Sequence, residues 1–134
     1  MPVESLEVVV DGLRTTTGLN VRERWQARKR RVQHERRAVW TRLWLTFKGC
    51  MPGDPSEFRS RVGKGPFLVT LTRIGPRLAD DDNVVGGLKS VRDEVADWLG
   101  TGDSPTSPVR WRYSQAKGPW GVRIRIDPDS GSVP

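Results

Sequence analysis

Between Asp82 and Leu99, apolar residues recur at the spacing of an α-helix. At about 100° per residue, five apolar side chains fall on one stripe and polar residues fall on the opposite stripe. The apolar stripe consists of Val84, Leu88, Val91, Val95 and Trp98. We therefore predict a helix over Asp82–Leu99 with one face against a core and one charged face in water.

Four other segments have the β-branched or alternating composition of strands, namely 6–10, 67–74, 109–114 and 120–126. We expect the last two to form a hairpin whose arginines share one solvated face. Those arginines are Arg110, Arg112, Arg123 and Arg125. Strands mixed with two substantial helices predict an α+β fold, in which a mixed sheet of roughly four strands is packed by the helices.

A second helix is predicted from about Val21 to Phe47, with Asn20 as its N-cap. Its apolar positions, Trp25, Val32, Val39 and Leu43, are spaced by seven, seven and four residues. Residues 14–48 carry eleven Lys or Arg against two acids, so this segment holds a charge of about +9 in a chain of net charge +7. Some of these arginines only solvate the helix, but their excess favours contact with phosphates.

The length of 134 residues favours one domain, which we place at 1–127. It comprises a basic helical segment (20–48), a loop (49–66) and a strand–helix–hairpin segment (67–127), followed by a flexible tail (128–134). Only 35% of the residues are hydrophobic, so the six tryptophans are expected to supply much of a thin core. A thin core suggests that a second chain completes it, as in a homodimer.

Cys50 is the only cysteine and His34 the only histidine. This excludes an intramolecular disulfide, a cysteine-based zinc site and any mechanism that needs two histidines. We see no signal peptide and no apolar run long enough to span a bilayer, so we expect a cytoplasmic protein without a membrane partner. A sequence pI near 10.5 indicates a polyanionic partner.

Asp80, Asp81 and Asp82 concentrate negative charge where a strand leads into the predicted helix. One interpretation is capping, which Asp82 or Asn83 could provide alone. Another is an acidic surface loop without a role. The third is a metal site: in extended backbone Asp80 and Asp82 would face the same side, and with Asp103 as third ligand they would offer oxygens suited to Mg²⁺ or Mn²⁺.

Lys89 lies two helical turns after Asp82 on the same predicted face. There it could hold a phosphate beside the metal or assist the leaving group. Its alternative role is an ion pair with Asp93 at spacing i to i+4. The surrounding "GGLKS" lacks the P-loop pattern, so we expect no nucleotide cofactor.

The segment "DDDNVVGGLKSVRDEVADWLGTGD", followed by "KGPWGVRIRI", resembles the RusA family of Holliday junction resolvases, which is common in phages and prophages. That family has an Asp-x-Asp-Asn motif at a helix start, a lysine on the helix, an aspartate after it and a closing lysine–glycine strand. The matching residues here are Asp80, Asp82, Asn83, Lys89 and Asp103. The resemblance covers about residues 77–126.

Two positions depart from the family pattern. Lys89 follows Asn83 by six residues, whereas the best-known members have three. Those members also carry paired aspartates after the helix, whereas this chain has only Asp103. The resemblance implies a Mg²⁺-dependent homodimer that nicks four-way DNA junctions symmetrically.

Together these observations predict a metal-dependent endodeoxyribonuclease that acts on branched DNA. Catalysis would fall to Asp80, Asp82, Lys89 and Asp103, with the three aspartates as metal ligands. DNA would be contacted by Arg22, Arg28, Lys29, Arg31, Arg77 and Lys117.

Two alternatives remain. One is a DNA-binding protein of the same fold without catalysis, in which the acids only cap a helix. The other is an interaction protein that uses Trp40, Trp44 and Phe47 as a partner surface, although core packing is the preferred assignment for these three residues.

Overall fold

The computed structural model describes residues 5–15, 24–46, 66–99 and 109–128. Within these ranges the chain forms a four-stranded mixed sheet and three helices, which confirms the predicted α+β class. The elements in chain order are β1 (Leu6–Asp11), α1 (Trp25–Thr46), β2 (Phe67–Gly75), α2 (Asp81–Gly87), α3 (Lys89–Leu99), β3 (Val109–Lys117) and β4 (Gly121–Pro128).

Several predictions concern residues beyond these ranges. They are the cap at Asn20, the DNA contact Arg22, Phe47, the loop from 49 to 65, the ligand Asp103 and the tail from 129 onward. In the described ranges, no helix combines the length and apolar character that a bilayer crossing requires.

The strands lie in the order β1-β4-β2-β3. Strand β4 is antiparallel to both β1 and β2, and β3 is parallel to β2. The prediction that β3 and β4 form a hairpin is therefore wrong, because β2 lies between them. Strand β2 has Phe67, Val69 and Leu71 buried on its core face and is at least half-buried on the other, which suits an interior position. Alternation within β3 and β4 does not reveal their neighbours.

The core lies on one face of the sheet and is mainly aliphatic. Register places Val8 of β1 and Leu71 of β2 on either side of Ile124 of β4, and all three are buried. The five apolar stripe residues predicted for the segment Asp82–Leu99 are all buried as well. They cover this face of the sheet from α2 and α3, so the predicted stripe is confirmed.

The tryptophans contribute less to the core than predicted. Trp98 is buried, but Trp25 is 70% exposed and Trp40 is 38% exposed. On α1 the core is met instead by Val39 and Leu43, which are fully buried. Core packing is thus the wrong assignment for Trp40, and the Trp44 side chain is outside the description. Periodicity finds the buried side of a helix only where another element lies against it, and α1 packs on β1 and α3.

Polar contacts join α1 to α3. Arg36 donates to Glu94 at 2.9 Å and also pairs with Asp97. Burial lowers the pKa of the Arg36 guanidinium, but hydrogen bonding and charge from Glu94 and then Asp97 outweigh it and raise that pKa. Next to Arg36, the buried Glu35 carboxylate accepts a hydrogen bond from the hydroxyl of Ser90, one turn before Glu94 on α3.

The opposite face of the sheet carries the predicted arginines. Register aligns Arg112, Thr70 and Arg125 across β3, β2 and β4 on this face. Arg125 contacts Asp127 at 3.0 Å and Glu7 at 3.8 Å. The alternation of arginines with core residues is confirmed, although it belongs to two separated strands.

Replacing Arg36 by Gln should lower the free energy of unfolding by about 1–2 kcal/mol, because Glu94 and Asp97 lose their charged donor at a partly buried contact. Urea denaturation followed by circular dichroism measures this change. The control is Arg37→Gln, which alters the exposed neighbour on the same helix. An equal effect of both substitutions would show that the α1–α3 contact contributes nothing beyond general charge.

Candidate functional site

The acidic cluster follows the end of the central strand. Strand β2 stops at Gly75, since Pro76 cannot donate a ladder hydrogen bond. Gly75 lies opposite Lys117 of β3, and the Gly118 amide donates to the Gly75 carbonyl at 3.0 Å. Lys117 and the segment 76–80, which holds Arg77 and Asp80, therefore meet at the same end of the sheet.

Gln115 of β3 holds the segment that leads to Asp80. The Ala79 amide donates to Gln115 Oε1 at 2.8 Å, and Gln115 Nε2 donates to the Ala79 carbonyl at 2.8 Å. A side-chain amide thus pairs with both backbone groups of one residue, as a neighbouring strand would. This Gln115–Ala79 pair fixes the backbone immediately before the first aspartate.

Arg73 supports the same segment from β2. Its buried guanidinium donates through Nη1 to the Arg77 carbonyl at 2.7 Å. The guanidinium also lies 5.1 Å from the ring centroid of Trp120, at the same distance as that of Arg14. Cation–π contact of this kind compensates part of the cost of burying a cation.

The packing of the Trp120 ring requires glycine at position 75. A Cβ added there would lie 2.8 Å from Cζ3 of Trp120, which is closer than real Cβ atoms come. The ring of Trp120 therefore packs directly on the backbone where β2 ends.

The three aspartates are exposed at the start of α2. Helix α2 begins at Asp81, so the N-cap is Asp80, and the predicted cap at Asp82 or Asn83 is wrong by two or three residues. The Asp80 carbonyl accepts from the Val84 amide at 3.0 Å, but its carboxylate makes no capping hydrogen bond with any part of the chain that the structure describes. Asp81 and Asp82 lie in the first turn, where they oppose the helix dipole.

The geometry assumed for a shared metal site changes at this point. Asp80 is extended, with φ −65° and ψ 149°, but Asp82 is already helical. Strand alternation therefore does not align the two carboxylates. In residues 5–15, 24–46, 66–99 and 109–128, no group of three or more His, Cys, Asp or Glu is placed to hold a metal. The donor set still fits Mg²⁺, which keeps several waters and takes one or two carboxylates.

Lys89 is 72% exposed in its side chain, and its Nζ lies 3.2 Å from Asp93 Oδ2. The predicted ion pair is therefore present. The single predicted helix is interrupted at Leu88, which has φ −97° and ψ 5°. Its amide is shared between the carbonyls of Val84 and Val85, at 3.1 and 3.3 Å. Lys89 consequently opens α3, so a straight-helix projection from Asp82 does not fix its direction.

The other predicted DNA contacts are spread over the molecule. Arg77 and Lys117 are exposed beside the acidic segment. Arg28 and Lys29 are exposed on α1, and Arg31 pairs with Glu35 at 3.1 Å. The main described contacts of α1 with the rest of the fold are with β1 and α3.

Sequence reasoning missed Arg73, Gln115 and Trp120. A signal was present for the first two, because each occupies a core-facing position in register with buried residues. Arg73 continues the series of Phe67, Val69 and Leu71 on β2, and it lies opposite Gln115 on β3. A polar residue at such a position needs a partner, which here is the segment before Asp80.

In comparisons with known proteins, no family model matches the sequence, and no curated protein or solved structure matches it significantly.

Replacing Gln115 by Leu should lower the free energy of unfolding by about 1–3 kcal/mol, because the Ala79 amide and carbonyl both lose their partner. Chemical denaturation measures the stability, and hydrogen exchange should show faster exchange at the Ala79 amide. The same substitution at the exposed Gln33 is the matched control. Unchanged exchange at Ala79 would contradict the importance of the Gln115–Ala79 pair.

Proposed function

We propose that this protein is a metal-dependent, structure-selective endodeoxyribonuclease that resolves four-way DNA junctions by paired phosphodiester hydrolysis. The observation that carries the proposal is the acidic segment at the end of β2. Three exposed carboxylates follow a backbone held by Gln115 and Arg73, with Arg77 and Lys117 at the same end of the sheet. This arrangement agrees with the resemblance of residues 77–126 to RusA resolvases.

Asp80 and Asp82, together with Asp103, are the residues that would hold Mg²⁺ or Mn²⁺. When bound, the metal lowers the pKa of a coordinated water and offsets charge on the phosphate oxygens. The chain itself contributes cations around the acids. Arg77 and Lys117 attract the backbone of the DNA, which the three carboxylates alone would repel.

Lys89 has a double role in this proposal. Its ammonium pairs with Asp93 when no DNA is bound, and at 72% exposure it is free to turn toward a phosphate. The exchange costs little, since an exposed i to i+4 pair contributes only a few tenths of a kcal/mol.

Two copies of the chain would act together. A four-way junction presents two scissile phosphates related by two-fold symmetry, which a C2 homodimer can address with one site each. Since the proposed substrate is bacterial or phage DNA, we expect such a dimer in the cytoplasm, where that DNA is found.

The second candidate is a DNA-binding protein of the same fold without catalysis. It is favoured by the first-turn position of Asp81 and Asp82, where carboxylates stabilise α2 whatever else they do. In that case their removal affects α2 but not the function.

Cleavage of a synthetic four-way junction with Mg²⁺ tests the proposal. Paired nicks should appear with Mg²⁺ and disappear with EDTA. Asp80→Asn and Asp82→Asn should each lower the rate by about 100-fold or more, as expected when transition-state electrostatics are lost, while junction binding changes little.

The matched control is Asp81→Asn, which makes the same charge change between the two proposed ligands. It should retain most of the activity. Junction binding without cleavage under either metal would favour the second candidate, and equal losses in all three variants would argue against assigning metal ligands to Asp80 and Asp82.

A further inference from the structure

The side chains in the first turns of α1 are exposed. Every residue from 24 to 30 is exposed, whereas Glu35, Val39 and Leu43 are buried. Among the described contacts, Glu35 and Arg36 join α1 to α3, and Arg42 pairs with Asp11 of β1. Helices of this length gain most of their stability from burying an apolar face, and the exposed residues 24–30 contribute little to that burial.

These turns also carry concentrated positive charge. There is no acidic residue between Arg24 and His34, and the cations of the segment are Arg24, Arg28, Lys29, Arg30 and Arg31. Cations in the first turn of a helix are repelled by the positive end of its dipole, and like charges four residues apart repel each other. A polyanion would relieve both effects, so the segment is suited to an anionic partner.

The cations surround the helix rather than lining one side. At about 100° per residue, Arg24, Arg28 and Arg31 fall within an arc of about 60°, while Lys29 and Arg30 lie about 130° to either side. A flat anionic surface, such as a membrane, would meet only one of these groups. A groove walled by phosphates meets cations on both sides of an inserted helix.

The dimensions agree with a DNA groove. A helix with its side chains is about 10–12 Å across, and the major groove of B-DNA is about 12 Å wide. Trp25 is 70% exposed, and the Lys29 ammonium lies 5.2 Å from the centroid of its ring. An exposed apolar ring beside cations provides contact with base edges as well as phosphates.

We infer that Arg24 and the first two turns of α1, residues 25–31, dock in the major groove of a duplex arm. The inference rests on the proposed function only in taking duplex DNA as the partner. It holds equally for a protein that binds junctions without cutting them.

Binding to a labelled linear duplex of about two helical turns, in EDTA, tests the inference without cleavage. The variants are Arg24→Gln with Arg28→Gln, and Lys29→Gln with Arg30→Gln. Each pair should reduce the slope of log Kd against log salt by about two, because each removes two phosphate contacts. The charge-matched control is Arg112→Gln with Arg123→Gln on the outer face of the sheet, which should leave the slope unchanged.

Two further readouts identify the groove. Methylation of guanine N7, which lies in the major groove, should interfere with binding by the wild type. Trp25 emission, taken as the difference between the wild type and Trp25→Phe, should become shielded from acrylamide when duplex is added. Circular dichroism of each variant checks that the fold is retained.

Any of three results would overturn groove docking. The salt slope could fall in only one of the two α1 pairs, it could fall equally in the control pair, or binding could be insensitive to N7 methylation. Tighter binding to anionic vesicles than to duplex would also overturn it. A protein that docks as inferred but does not nick junctions refutes only the nuclease, and a protein that nicks junctions with none of these effects refutes only groove docking.

Discussion

Strand β2 is hydrogen-bonded on both sides, to β4 and to β3, and much of the structure depends on this placement. Its inward residues, such as Val69 and Leu71, form the centre of the core. Strand β2 is flanked by both neighbours up to Ile74, and its last residue, Gly75, pairs with Lys117 of β3. The chain then passes Lys117 and Gln115 of β3 before reaching the aspartates, so the central strand positions both the core and the candidate site.

The helices are attached to this sheet by different means. Helices α2 and α3 contribute a continuous apolar stripe, whose burial is non-directional and tolerant of small shifts. Helix α1 adds the buried Val39 and Leu43, but its relation to α3 is set by the directional contacts of Glu35 and Arg36. Those contacts lie about one turn after Arg31, where α1 passes from its exposed start to its buried part.

Sequence patterns gave the elements more reliably than their neighbours. The stripe from Val84 to Trp98 identified the buried side correctly, because its period is regular and the apolar face of the sheet lies against it along its length. The hairpin was wrong because adjacency along the chain does not determine pairing when a third strand is better suited to the space between. The prediction of Trp25 as a core-facing residue was wrong, because a hydrophobic spacing can continue along a helix after the packing surface has ended.

At the candidate site, too, the sequence predicts the local elements but not the residues that contact them. The acidic cluster and its position between strand and helix were visible in the sequence, but the cap shifted to Asp80 because α2 begins at Asp81. Gln115 supports that position from about 36 residues away in the chain. A contact of that kind is specified by sheet register, which the sequence gives only once the strand order is known.

The insertion of β2 between β3 and β4 also shapes how the sheet can assemble. Strands β3 and β4 are nearest in sequence, yet they do not pair with each other. Strand β3 pairs with β2, and β4 pairs with both β1 and β2. The ladder is therefore built from distant contacts, which slow folding because loop closure precedes any gain in pairing. During synthesis, β1 and one edge of β2 stay unpaired until β4 has emerged, so their backbone N–H and C=O groups remain open to pairing with other chains until then.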